Sequence, residues 1–339
     1  MVTIADVAKR AGVGLGTVSR VLNGSPQVRE STRRRVQAAI DELGYRPNPL
    51  ARGLSLGRGH TVGVIVPFFT HPSAVERLRG VVAALEGSGY DLVLFNVASP
   101  FHPDEPFHAL TGPHRADGLL VMSLPAPPHD LERLARAGVP VVLVDSRAEG
   151  VTVVVSDDRT GGRLAVQHLV ELGHRDIAFI GEDPQNAFGF TASADRERGY
   201  REVLREHGIR YRPSLVRHGP HHHDVAKALT LDLLRRPKPP TAIFASSDVQ
   251  ALGALAAAAE LGCTVPAELS VIGYDDIDLA AYAGLTTIRQ PLFDSGYLAG
   301  RLLLDALVSG EGPTPGVTEL PIELVIRTTT AAVPHRGAA

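Results

Sequence analysis

Residues 11–21, AGVGLGTVSRV, admit two incompatible readings. Gly12, Gly14 and Gly16 could belong to a loop that cradles phosphate, whereas Thr17 to Val21 could open a helix that faces DNA. What precedes the glycines decides between them. A dinucleotide-binding fingerprint follows a strand and opens a long helix within a βαβ unit. Here Thr3-Ile4-Ala5-Asp6 is instead a capping pattern, in which a hydroxyl and an acid three residues on satisfy the free N–H groups of a first helical turn. Ile4, Val7, Ala8 and Ala11 follow at helical spacing, which predicts a helix over 4–10, and Gly12 suits the left-handed residue that ends it. The third glycine of the fingerprint is replaced by Ser19, and only a short helix follows. The nucleotide reading fails on context.

Val18, Val21 and Leu22 continue an i, i+3, i+4 stripe, so a second short helix follows a tight turn. Asn23-Gly24-Ser25-Pro26 breaks it. A third helix is expected from Ser31 or Thr32, with Val36, Ile40 and Leu43 inward and Gly44 as its stop. Three short helices, the first two joined at a glycine, make a helix-turn-helix unit. Its charge agrees: residues 1–60 hold ten Lys and Arg against four acids, a net +6, while the rest of the 339-residue chain carries −9. A basic module on an acidic body points to a polyanionic partner for the module alone.

From Thr61 the pattern changes. Apolar β-branched runs (TVGVIVP, YDLVLFNV, GLLVMS, VPVVLVD, VTVVVSD, IAFIG, TAIFAS, SVIGYD, PIELVIR) alternate with helical stretches near 74–87, 129–137, 160–172, 194–207, 224–235, 249–261 and 294–309. This alternation predicts parallel sheets wrapped by helices. Two sheets are expected, the first ending near Ser156 and the second following the helix at 160–172. Residues 45–60, YRPNPLARGLSLGRGH, read as a linker in which Pro49 can open a short helix. Cys263 is the only cysteine, so neither a disulfide framework nor a cysteine metal site is expected. No secretion-signal pattern or apolar run near 18 residues occurs, and a cytoplasmic protein without a membrane partner is expected.

TIADVAKRAGV, TVSRVLNG and YRPNPLARGL, followed by DDRTGGRLAVQHLVELGHRDIAFIGE, AIFASSDVQALGAL, VIGYDDIDLA and TTIRQPLFDSGYLAGRLLL, resemble the LacI/GalR family of bacterial transcription repressors in order and over essentially the full length. The resemblance implies an all-α helix-turn-helix domain (1–46), a hinge helix and linker (47–60) and an α/β, two-lobed, periplasmic-binding-protein-like effector domain (61–330), with a tail at 331–339. Lobe 1 would span about 61–158 with part of 290–330, and lobe 2 about 159–289. A homodimer on double-stranded operator DNA is implied, controlled by a small effector such as a sugar or nucleoside. For DNA, the resemblance implies Leu15, Gly16 and Arg20 at base edges and Thr17 and Ser19 at phosphates, with Thr3, Asn23 and Arg34 also at the duplex. In the hinge, Leu54 would wedge into the minor groove, with Ala51 and Arg52 beside it. Gly14, Leu15 and Gly16 depart from the family's more polar pattern there, so fewer base contacts would carry specificity.

For the effector, the resemblance implies Arg196 and Asp275 as the pair that grips ligand hydroxyls, with Phe68, Phe69, His221, Ser247 and Gln290 around them. Ser247 stands where relatives usually have Asn, and Ser73-Ala74 replace a commonly aromatic pair, which would widen the pocket. His221-His222-His223 cannot all converge on one ion without a strained loop, so no metal is expected, and His222 and His223 are read as a loop and helix start. No GxSxG elbow, HExxH or other catalytic set occurs, so neither catalysis nor a cofactor is expected. The competing classes, a solute-binding protein or a sugar-processing enzyme on the same body, leave the basic N-terminal module unexplained.

Overall fold

The computed structural model describes residues 2–22, 25–45, 60–97 and 116–333. The chain divides into two compact units, residues 1–60 and 61–339. The hinge residues Ala51, Arg52 and Leu54, and Asn23, lie outside the described residues.

The first unit holds α1 (Ile4–Ala11), α2 (Leu15–Leu22) and α3 (Glu30–Leu43). The capping box at Thr3 and Asp6 forms as its spacing predicts, and Gly12 ends α1 in the left-handed region at φ 63°. The Gly14 carbonyl accepts the first bonds of α2, from Thr17 at 2.9 Å and Val18 at 3.3 Å. Helix α3 begins one residue before the expected Ser31. The extended residue Arg29 receives its first amides through its carbonyl, so the neighbouring hydroxyls are not needed as caps. Val7, Val18, Val21, Val36 and Ile40 form the core, and Arg10 pairs with Glu42 at 2.6 Å to tie α1 to α3. Because so small a core leaves little reserve, Thr3→Ala should lower the unfolding free energy of this unit by about 1 kcal/mol. Denaturant titration of wild type and variant checks this.

The second unit runs β1 (Thr61–Pro67), α4 (Pro72–Leu85), β2 (Asp91–Val97), β3 (Gly118–Met122), α5 (Pro128–Arg136), β4 (Val141–Val144), β5 (Thr152–Ser156), α6 (Asp158–Glu171), β6 (Ile177–Gly181), α7 (Ala192–Glu206), β7 (Val216–His218), α8 (His223–Leu234), β8 (Ala242–Ala245), α9 (Asp248–Glu260), β9 (Ser270–Asp275), α10 (Asp278–Tyr282), β10 (Thr286–Arg289), α11 (Leu292–Ser309), β11 (Gly316–Leu320) and β12 (Glu323–Val325). Two six-stranded sheets result, ordered β11-β5-β4-β3-β1-β2 and β12-β10-β9-β8-β6-β7. Among the described residues every pairing is parallel except that of β12 with β10. The buried strands are near-continuous Val, Ile and Leu runs, as sheets covered on both faces require. The chain passes between lobes after β5, after β10 and between β11 and β12.

Three short strands, β7, β10 and β11, are absent from the apolar pattern. Strand β11 is an exposed edge without alternation, and β10 buries two threonines whose hydroxyls are satisfied by tertiary partners. Thr287 donates to Asp248 at 2.5 Å, and Thr286 lies 3.1 Å from the Thr330 hydroxyl. The expected strand PIELVIR shortens to β12, which joins lobe 2, while α11 and β11 belong to lobe 1.

Glycines set two close helix crossings. A Cβ on Gly162 of α6 would stand 2.2 Å from the Arg196 carbonyl oxygen of α7, and one on Gly199 would stand 2.3 Å from that of Arg159. In lobe 1, a Cβ on Gly296 of α11 would stand 1.9 Å from the Arg77 carbonyl oxygen of α4. The backbones of Arg77 and Arg196 are thus pinned where two helices touch without intervening side chains.

Candidate functional site

On the first unit, Leu15, Gly16 and Arg20 share an exposed face of α2, while Val18 and Val21 turn into the core and Thr17 and Ser19 lie half-buried. The Arg20 guanidinium lies along the helix, its Nη2 3.6 Å from where a Gly16 Cβ would sit, and it forms no ion pair with another described residue. A charged fork over a bare glycine is free to swing outward. Arg34 is also exposed but is held by Glu30 at 3.2 Å. The Thr3 hydroxyl donates to Asp6 at 2.7 Å, so it offers no proton to a phosphate without giving up its cap.

In the second unit a cavity of about 830 Å³, measured out to its open mouth, lies between the lobes. Carboxyl-terminal strand ends point into it, the usual ligand position in open α/β sheets. Phe68, Ser123, Asp145 and Asp275, at or just past the ends of β1, β3, β4 and β9, take φ values of 46°, 55°, 59° and 116°. Left-handed conformations at non-glycine residues cost energy and cluster at binding sites. All four line this cavity.

Arg196, from α7, is buried. Its Nε and Nη2 each lie 2.8 Å from Asp158 Oδ1, and its Nη1 donates to the Ser246 carbonyl at 2.5 Å. Its guanidinium stacks 3.7 Å above the centre of the Tyr274 ring and stands 4.0 Å from Asp275 Oδ1. Burial by itself disfavours the charge, but Asp158, Asp275 and Asp145 outweigh it and raise the Arg196 pKa. Gln290 donates to Asp275 Oδ1 at 2.7 Å and accepts from Arg77 at 3.4 Å. Arg77 in turn pairs with Asp145 at 3.2 Å, and the Ser123 hydroxyl donates to Asp145 at 2.7 Å. A continuous polar chain therefore runs from Ser123 in lobe 1 through Gln290 at a crossover to Asp158 in lobe 2. Burial pushes the Asp275 carboxyl up to about 6 even though Arg196 and Arg77 pull it down.

The expected residues Phe68, Arg196, His221, Ser247, Asp275 and Gln290 come together here. Phe69 does not. The left-handed turn at Phe68 sends the next side chain outward, and Phe69 is 41% exposed on an outer groove with Val75, Val82 and Phe293. The Ser247 hydroxyl is already engaged, 2.8 Å from His221 Nε2 and capping α9 through the Gln250 amide at 3.3 Å. His221 packs on His71, with ring centres 5.1 Å apart across the lobes. His222 is the residue before α8 and His223 opens it.

Arg77, His71, Asp145, Glu182 and Phe190 also line the cavity and were not singled out from sequence. A signal existed for most of them. Asp145 and Glu182 are the polar residues that end the apolar runs VPVVLV and IAFIG, and Arg77 interrupts the inward stripe Ala74, Val81, Leu85 of α4. Across the mouth, Phe188 meets Phe68 edge-on at 5.0 Å and stacks on Phe190, so the 182–191 loop of lobe 2 closes onto lobe 1. Among the described residues no group of three or more His, Cys, Asp or Glu is placed to hold a metal, and no helix is long and apolar enough to cross a membrane.

Comparison with known proteins agrees with this architecture. Residues 3–48 match the model for bacterial regulatory proteins of the lacI family, and residues 166–330 match a periplasmic binding protein-like domain. The chain is 35% identical to catabolite control protein A of Priestia megaterium over 97% of its length and 99% of that protein's. It is 38% identical to the HTH-type transcriptional regulator CelR of Thermobifida fusca, over 96% of both chains. Among solved structures, it is similar to the lac repressor dimer bound to operator and an anti-inducer, with a TM-score of 0.84, 30% identity and coverage of 98% and 99% of the two chains. It is likewise similar to a CelR–cellobiose complex, with a TM-score of 0.70, 36% identity and coverage of 97% and 100%. With its helix-turn-helix unit, its two-lobed body and full-length likeness to these regulators, the chain belongs to the lacI family of bacterial regulatory proteins.

Proposed function

We propose that this protein is a cytoplasmic, homodimeric repressor that reads operator DNA with α2 and is controlled by a small hydroxylated effector bound between its lobes. The observation that carries the reading is the interlobe cavity itself. It gathers Arg196 and Asp275 from lobe 2 and Arg77 from lobe 1 around one space at the strand ends, and the Gln290 link lets a ligand there bias the relation of the lobes. The CelR–cellobiose complex and a LacI family transcriptional regulator from Enterococcus faecium with bound ribose support a sugar as the effector. The domain division read from sequence, with a helix-turn-helix domain to residue 46 and a hinge to residue 60, fits this role. The chain acts by binding rather than by catalysis. Selection of a binding site from randomised duplex DNA, followed by titration with sugars, tests the proposal. Specific DNA binding that no small molecule alters would remove effector control from it.

At the DNA end, Arg20 reads a base edge, Leu15 packs against the groove floor, and Thr17 and Ser19 position the helix on phosphates. Arg20→Ala should cost about 1–3 kcal/mol on the selected site and little on scrambled DNA, since a bidentate base contact carries that much discrimination. Arg34→Ala should weaken both DNAs alike. Equal losses on both DNAs for Arg20→Ala would move it to the phosphates.

A further inference from the structure

We propose that the effector carries a protonated amine beside its hydroxyls, as an amino sugar or related aminated polyol does, and that Glu182 and Asp275 hold its ammonium group. This rests on the reading of the interlobe cavity as the effector site.

Asp145, Glu182 and Asp275 line that cavity, and Asp158 pairs with Arg196 beside them. Asp248, buried near Asp275, is held by the Thr287 hydroxyl and the Ile277 amide. Of the first four, two have a guanidinium directly against them. Asp145 pairs with Arg77 and Asp158 with Arg196. Among the described residues the other two lack such a partner. Asp275, with its side chain only 6% exposed, accepts one side-chain hydrogen bond, from Gln290 on Oδ1, which leaves Oδ2 without a donor among the described residues. Arg196, already committed to Asp158, stands 4.0 Å away. Among the described residues the Glu182 carboxylate makes one ion-pair contact, with His221 Nδ1 at 3.6 Å. That imidazole carries no charge at neutral pH: burial, then His71, Arg196 and His222, push its pKa down to about 3, and burial also lowers that of His71. Burial raises the Glu182 pKa, Arg196 pulls it back, and the charge on Asp275 raises it further, which places the two acids in one electrostatic field.

Two ionised carboxylates in a largely buried space without a dedicated counter-charge are costly. A ligand ammonium supplies that charge and donates to the open carboxylate oxygens. A purely cationic ligand would leave the other side of the site idle. There Arg77, Asp145 and the Ser123 hydroxyl line the cavity, a set of polar groups suited to ligand hydroxyls. The occupant therefore combines an ammonium with hydroxyls.

The test is calorimetry on the full-length protein with hexosamines, their N-acetylated forms and the parent hexoses, alongside neutral disaccharides and nucleosides. Hexosamines should bind at least about tenfold tighter than their N-acetylated and parent counterparts, the scale of one charge-assisted contact. Glu182→Gln should abolish that preference. Asp275 is largely protonated below pH about 6, so binding there must release protons, and affinity for the amine should fall as pH is lowered through that value. Heats measured at pH 6 in two buffers of different ionisation enthalpy report the release directly. Parent hexoses binding as tightly as hexosamines, or an amine preference that survives Glu182→Gln, would overturn the proposal. Tight binding of only a neutral disaccharide or nucleoside overturns the amine while keeping the effector site, and binding of no compound at all counts against both.

Discussion

Arg196→Ala is expected to abolish the effector response and also to destabilise lobe 2, by about 3–5 kcal/mol, the usual cost of breaking one side of a buried ion pair. The guanidinium is more than a ligand grip. It neutralises the buried Asp158 carboxylate, satisfies the Ser246 carbonyl and stacks on Tyr274. Its removal strands all three. Asp275→Asn is the cleaner probe, because an amide of the same shape still accepts from Gln290 and leaves no charge unpaired. It should fold with a melting temperature close to wild type, bind operator DNA and ignore the effector. Thermal unfolding and operator titration, with and without effector, separate the two variants. An Arg196→Ala protein that melts like wild type would show that Asp158 finds another partner and that the arginine is only a ligand residue.

A second large effect is expected far from any ligand atom. Gly199→Ala places a methyl group 2.3 Å from the Arg159 carbonyl oxygen, inside any tolerable contact distance, so α6 and α7 must separate. Overpacking of this kind costs about 1–3 kcal/mol and occasionally more, and an obstruction made of backbone belongs at the upper end. Separation also carries Arg196 away from Asp158 and Ser246, so effector affinity should fall although no cavity residue has changed. Gly312→Ala, where nothing lies within 4 Å, is the control and should stay within about 0.5 kcal/mol of wild type. Denaturant unfolding of both variants, paired with effector titration, checks the expectation. Equal stabilities for Gly199→Ala and Gly312→Ala would mean that the crossing relaxes at no cost.

The helix-turn-helix unit was almost fully legible in the sequence because its determinants are local. Thr3 and Asp6 cap α1, Gly12 and Gly44 end helices in the left-handed region, and a three-to-four-residue apolar stripe marks each inward face. The alternation of buried strands and helices in the body was legible for the same reason. Local patterns could not show which sheet receives β12, since a strand's partner depends on where the chain crosses between lobes. Nor could they show β10, whose buried threonines look polar in sequence and become acceptable only once Asp248 and Thr330 lie beside them.

At the cavity the division is sharper. Likeness in sequence was enough to nominate Arg196 and Asp275, and the structure brings them together. It misplaced Phe69, because one left-handed residue at Phe68 reverses which neighbour faces the cavity. Arg77, Asp145 and Glu182 each sit on a different element, and only the closure of one lobe on the other sets them around one space. The sequence determined the elements and the type of protein, because capping, periodicity and charge act over a few residues. The tertiary structure alone decided which carboxylates find a guanidinium, because charge compensation in a buried site depends on distances between elements that no local pattern encodes.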